Sequence, residues 1–448
     1  MAPRRQCARL VVAPRILSGL LLLAIVSAPG GARAIPVFAR IYDKPCSACH
    51  TVYPQLNPEG ERFRANGLHG FTPAVEPIKV GRELELPGTL PLAISLAAGG
   101  DFIKVDVPGQ PSPVSKRFNL EFLSVLVGAE LGPHLAFLGD YAPLFTNPRT
   151  GEEIVNTRAG IAFLQAHGEA AGWLGNARLG LFELPLGVSP RVHRLSVQGY
   201  LVYGVDAFSM LGRPQPDRHG GLAPQETLNL GSTQLGLELS ALRAGGFGVS
   251  LGSVAGSNNR EDQNHAKDVF LRVSQAFGFH HAGLFLYYSP DVLAHQSPTD
   301  RAFRVGPDAT LYWRSVQITG QLLAAHDANP TGRDAGMWWL GGFGEVDWRL
   351  TPQVVTLLRL DHVGMPTFDD RTSGGETHVR RSIWETTGGA QWLIEQNLKL
   401  IVEATYDANH EAIRDATVET WSVTVRLATA FWPLTPPLLG RFFDRGPP

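Results

Sequence analysis

From residue 81 onward the chain alternates apolar and polar positions over stretches of about ten residues, with clusters of Gly, Pro, Asp and Asn between them. In LKLIVEATYD, Leu398, Leu400, Val402, Ala404 and Tyr406 fall on one side, and Lys399, Glu403, Thr405 and Asp407 on the other. In TVETWSVTVRLATAF, Trp421, Val423, Val425, Leu427 and Phe431 oppose Thr420, Ser422, Thr424 and Arg426. SVQITGQLLAAH and STQLGLELSAL behave likewise. A period of two is that of a β-strand with one apolar and one polar face.

A soluble sandwich alternates as well, so the connections decide. From Gln225 they switch between short, near 242–246, 278–280, 314–316, 351–353 and 394–398, and long, at 257–266, 290–304, 327–336, 365–379 and 408–416. Short periplasmic turns opposite longer outer loops mark a bacterial membrane barrel, and Trp338, Trp339, Trp348, Trp384 and Trp392 near strand ends suit its interfacial girdles. The sequence therefore predicts an all-β fold, an antiparallel outer-membrane β-barrel of about 16 strands over residues 116–431. An even count returns both ends to the periplasm. LPLAISLAAGGDF, at 90–102, would break that parity and reads as a connector or plug element within a connector, plug or first-strand region, 81–115. The tail, 432–448, ends FFDRGPP without the final aromatic usual in such barrels.

Residues 1–34 read as a secretory signal peptide: Arg4, Arg5, Arg9 and Arg15, an apolar core from Ile16 to Val26, and the small-x-small site Ala32-Arg33-Ala34. Removing its five Arg and no acid leaves 34 basic against 41 acidic residues, a net charge of −7. An acidic balance argues against a nucleic-acid partner. No later apolar run approaches the roughly 18 residues of a membrane-spanning helix.

Between leader and barrel lies Cys46-Ser47-Ala48-Cys49-His50. Two cysteines three apart, with a histidine after the second, have the spacing of covalent haem c attachment. On this reading the thiols of Cys46 and Cys49 form thioethers to the porphyrin vinyls and His50 is the proximal iron ligand. Zinc would need a second ligand pair, and a disulfide would leave His50 unexplained. The segment around it, 35–80, is too short to bury a core of its own, so it must lean on the barrel. His69 is the nearby candidate for the distal iron ligand; an open sixth position, Met210 or Met365 are the alternatives.

The same segment, through Phe38-Ala39-Arg40, the cysteine motif, Pro54-x-Leu56-Asn57 and Gly60-x-x-Phe63-Arg64-x-Asn66-Gly67, resembles the fused outer-membrane cytochrome–porins, single-haem proteins best known from iron-oxidising bacteria. GLFELPLGVSPRVHRLSVQGYLVY looks like barrel strands of that family. The resemblance implies electron transfer from an extracellular donor, with Fe²⁺ as the candidate, through one haem c to a periplasmic cytochrome c or other soluble acceptor, an iron(II) oxidase-type role.

One haem is smaller than an apolar band about 25 Å tall, so it would have to sit in the lumen, with residues 35–80 plugging the barrel against polar inward side chains. Acids in long connections, among them Glu152, Glu153, Glu261, Asp262, Asp327, Asp334, Asp369, Asp370 and Glu376, would draw cations or simply keep the loops solvated. Two further readings stand beside the conduit: a diffusion porin with a structural or redox-sensing plug, and a soluble periplasmic cytochrome with a β-sandwich partner. No nucleophile elbow, Walker loop, dinucleotide fingerprint or HExxH motif is present.

Overall fold

A computed structural model of the chain describes residues 37–146, 153–155, 159–211, 228–258, 265–292, 299–331, 335–372, 375–395, 397–411 and 416–431. The expected leader and the tail from 432 lie outside the described residues. Sixteen long antiparallel strands close on themselves. They are β1 Leu92–Asp106, β2 Val114–Glu130, β3 Leu135–Thr146, β4 Ile161–Ala170, β5 Trp173–Glu183, β6 Thr233–Arg243, β7 Phe247–Val254 and β8 Asp268–Phe277. The circuit continues through β9 His280–Ser289, β10 Ala302–Trp313, β11 Val316–Asp327, β12 Met337–Thr351, β13 Val354–Thr372, β14 Gly375–Glu395, β15 Leu398–Glu411 and β16 Ala416–Phe431. β16 closes onto β1, with Phe431 opposite Ile94 and Glu419 opposite Asp106. A three-residue strand, Glu153–Val155, adds to the end of β3.

The strand number is as expected, but its membership differs. The 90–102 stretch is not a connector or plug: Leu92–Asp106 is the strand that closes the barrel. The matching error lies in GLFELPLGVSPRVHRLSVQGYLVY, where the ladder ends at Glu183. Pro185 and Pro190 have no amide hydrogen to give a ladder, and a central strand does not tolerate that.

The turn pattern holds. Connections at 244–246, 278–279, 314–315 and 352–353 are tight, with Gly246 at φ +84° and Gly278 at φ +64° in the left-handed region that glycine enters freely. Two of the expected long loops, 365–379 and 408–416, are instead mostly strand, because β13–β14 and β15–β16 run on as tall hairpins.

The apolar faces point outward. Trp313, Trp348 and Trp392 are exposed near the short turns, and Trp338, Trp384 and Trp421 near the other ends. Ten residues separate Trp338 from Trp348 on β12; at ~3.3 Å per residue and a tilt of ~40° they bound an apolar band of about 25 Å. This is an outer-membrane barrel. Trp339 is the exception among the expected girdle residues: it is buried in the lumen, its indole donating to Asp327 at 3.3 Å.

Inside, charged side chains are buried in pairs, which offsets the cost of taking them out of bulk water. Arg426 holds Asp101 with two contacts of 2.7 Å and Glu121 at 3.0 Å. Arg304 holds Asp327 at 2.7 Å, and Arg272 holds Asp308 at 2.8 Å. Arg359 holds Asp361 at 2.6 Å and Glu385 at 3.0 Å. No helix among the described residues is long and apolar enough to cross a membrane.

Candidate functional site

The lumen is occupied by the chain itself. The N-terminal part forms α1, Val37–Ile41, a 3₁₀ turn over Cys46–Ala48, a small ladder pairing His50 with Leu56, and α2, Pro58–Ala65. Asn57 organises it. Its side chain accepts from the amides of Glu59 and Gly60 at 3.0 Å, capping α2, and donates to the carbonyls of Ser47 and Ala48 at 3.1 and 3.2 Å. Pro58 suits the first turn, where no amide hydrogen is needed. Phe38, Tyr42, Phe63 and Phe71 pack edge-on and stacked against Ala93, Ala129 and Ala136 of the wall.

The second occupant was not foreseen. After Glu183 the chain turns into the lumen, descends to residue 195 beside Val355, and returns through α3, Leu201–Gly204, and α4, Ala207–Leu211. Wall side chains hold this inner segment chiefly by its main chain. Arg359 donates to the carbonyls of Gln198 and Gly199 at 3.1 and 3.2 Å, and Gln391 to that of Leu195 at 2.6 Å. Glu403 accepts from the amides of Val197 and Gln198 at 2.9 and 3.4 Å, and Asp361 from Leu201 at 3.0 Å. The Tyr203 hydroxyl donates to the Val188 carbonyl and lies against the Gln321 side chain. Tyr200 stacks on Phe343 with ring centres 4.0 Å apart. Val197 packs against Ala97, Ile401 and Ala428, so the segment reaches the wall at β1, β15 and β16.

The two occupants meet. Leu56 donates its amide to the Val192 carbonyl at 2.8 Å, and Val52 packs with Leu195, Val355 and Leu357. His193 Nδ1 accepts from the Ser189 amide at 2.8 Å, which leaves the proton on Nε2 to donate to Glu61 at 2.6 Å. Burial pushes the Glu61 carboxyl up, but the hydrogen bond from His193 and the nearby Arg64 guanidinium outweigh it and hold it down at about 2. Gln55 donates to Asp347 at 2.6 Å, and Lys399 to the Tyr53 carbonyl. Asn176 donates to the Ala65 carbonyl at 2.9 Å, and Arg64 to Glu183 at 3.3 Å.

The residues expected to carry a cofactor are placed otherwise. Cys46 and Cys49 are half-buried free thiols, both pushed above the ordinary thiol range by burial. His50 gives its Nδ1 proton to the Pro54 carbonyl at 3.1 Å, and burial pushes its pKa down to about 4. His69, expected as the distal ligand, lies among main-chain carbonyls. Its two ring nitrogens face the carbonyls of Gly67 and Gly132 at 2.8 and 3.0 Å, and its ring stacks on His167. Met210 and Met365 are buried in the large apolar cluster with Tyr203 and Trp339, apart from the cluster around Val52. Among the described residues no group of three or more His, Cys, Asp or Glu is placed to hold a metal ion. The expected haem c, with the cytochrome, iron and metal-binding readings built on it, is corrected on that finding. Of the acids expected to draw cations, Asp327 is buried against Arg304, and Asp369 pairs with His378 at 2.6 Å. Glu152, Glu261, Asp262 and Asp334 lie outside the described residues.

In comparison with solved structures the wall is similar in fold to outer-membrane porins. An anion-selective porin from Comamonas acidovorans superposes with a TM-score of 0.51 at 11% identity, over 76% of this chain and 99% of the porin. The OmpF of Salmonella typhi gives 0.49 at 11% identity, over 80% of this chain and 100% of OmpF. The outer-membrane channel DcaP of Acinetobacter baumannii gives 0.47 at 9% identity, over 80% and 100%. At such identities the likeness shows the fold alone. No family model matches the chain, and no curated protein matches it.

Proposed function

We propose that the chain is an outer-membrane channel of the porin type, passing small polar solutes along a lumen that its own N-terminal segment and inner segment narrow. The observation that carries this reading is the clamp of Arg359, Glu403, Asp361 and Gln391 on the main chain of residues 195–201. A side-chain clamp on carbonyls and amides holds a segment across the lumen whatever its side chains are, as a fixed constriction requires. The likeness of the wall to an anion-selective porin supports the porin class. Charge selectivity does not follow from it, because Arg272, Arg304, Arg359 and Arg426 are each matched by acids.

Swelling of liposomes carrying the purified protein, challenged with neutral sugars of increasing size, tests the reading. The expected result is entry of the smallest solutes with a cut-off below that of an unobstructed 16-stranded porin. Liposomes that stay impermeable to every solute would overturn it.

A further inference from the structure

Between the N-terminal segment and β1 the chain makes a small hairpin in which Ile78 pairs with Leu86 and Lys79 with Glu85. The amide of Glu85 ties it to the Leu131 carbonyl, in the short turn joining β2 and β3. It therefore lies at the periplasmic rim, outside the band bounded by the tryptophans. Ile78, Val80, Leu84 and Leu86 share one face, and with Val75 and Leu90 they are 39–60% exposed. Six large apolar side chains open to water in sixteen residues are unlike the scattered exposure of an ordinary surface. Two-residue strands also do not hold such a hairpin in water by themselves.

We propose that residues 432–448 of this chain cover that face. Phe431, the last residue of β16, is paired with Ile94, so the tail starts at the same rim, two positions along β1 from Leu92. Seventeen residues of extended chain, at ~3.3 Å each, span far more than the few residues of hairpin. The tail carries Leu434, Leu438, Leu439, Phe442 and Phe443, apolar side chains in number and size to match the face. Its Arg441 and Arg445 against one acid, Asp444, complement Glu76, Glu83 and Glu85 against Lys79 and Arg82 in the hairpin. The hairpin leads directly into the N-terminal segment, so the tail would pin the root of the luminal plug.

Hydrogen exchange of the full chain in detergent, compared with Leu438→Asp/Leu439→Asp and with a chain ending at Phe431, tests the proposal. The barrel strands serve as the internal reference for folding. The expected result is that amides of 78–86 exchange about tenfold faster in both variants while β10–β14 are unchanged. Equal exchange in all three proteins overturns the proposal. Protection that depends on protein concentration would assign the face to a second copy, and protection present only in phospholipid vesicles would assign it to the membrane surface; either result also overturns it.

Discussion

The guanidinium of Arg359 donates to the main-chain carbonyl of Gln198 at 3.1 Å, across 161 positions of sequence. The same group is held by Asp361 and Glu385, so one fully buried cation joins the wall at β13 and β14 to the inner segment. Replacing it leaves Asp361, Glu345 and Glu385 buried without their cation. Arg359→Met is expected to cost about 3–5 kcal/mol in denaturant unfolding of the detergent-solubilised protein, and to raise exchange of the 197–201 amides before the barrel opens.

Gly60 is a second point where the fold admits one residue. A Cβ there would overlap the carbonyl oxygen of Cys49 and meet Leu56. Gly60→Ala should therefore lever α2 away from the Cys46–Cys49 turn, at a cost of about 1–3 kcal/mol. Limited proteolysis within residues 44–66 is expected to become faster, while the barrel itself stays resistant.

Acid should loosen the N-terminal segment before the barrel. The half-buried His50 has its pKa lowered to about 4 from an ordinary 6.5 by loss of solvent around the ring. The native state thus refuses a proton that the released state accepts. Its stabilising effect is complete above about 6.5 and is lost as pH falls toward 4. Glu61, held at about 2 against an ordinary 4.5, keeps its effect above about 4.5 and loses it only as pH falls toward 2. The protection of amides 50–66, taken relative to the intrinsic exchange rate at each pH, should therefore fall between pH 6.5 and 4, and His50→Gln should flatten that fall. A fall of the same size in the variant would mean that another group titrates there.

Much of the wall was legible because period-two alternation is a local property. Val402, Trp421 and Val423 face outward, and Glu403, Thr424 and Arg426 inward, as their spacing required. The parity of β1 was misjudged because Leu92–Ala98 offers nearly continuous apolar residues. Its polar partner surface appears only when Asp101 meets Arg426, 325 positions away. The inner segment was misread for the opposite reason. Leu184 to Tyr203 is rich in apolar residues, like a strand, and only Pro185, Gly187, Pro190 and Gly199 signal that no ladder forms. The Cys46–His50 motif carried more chemistry in its spacing than its placement sustains. The fate of His69 was set by the carbonyl of Gly132, a contact that spacing does not encode.

Single-channel conductance in planar bilayers tests the central claim most directly, that the lumen is narrowed by residues of the same chain. The full chain is expected to give small steps, and a chain with Arg359→Met and Glu403→Gln, which frees residues 197–201, larger and noisier ones. Steps as large as those of an unobstructed porin in the full chain, unchanged in the variant, would contradict the account.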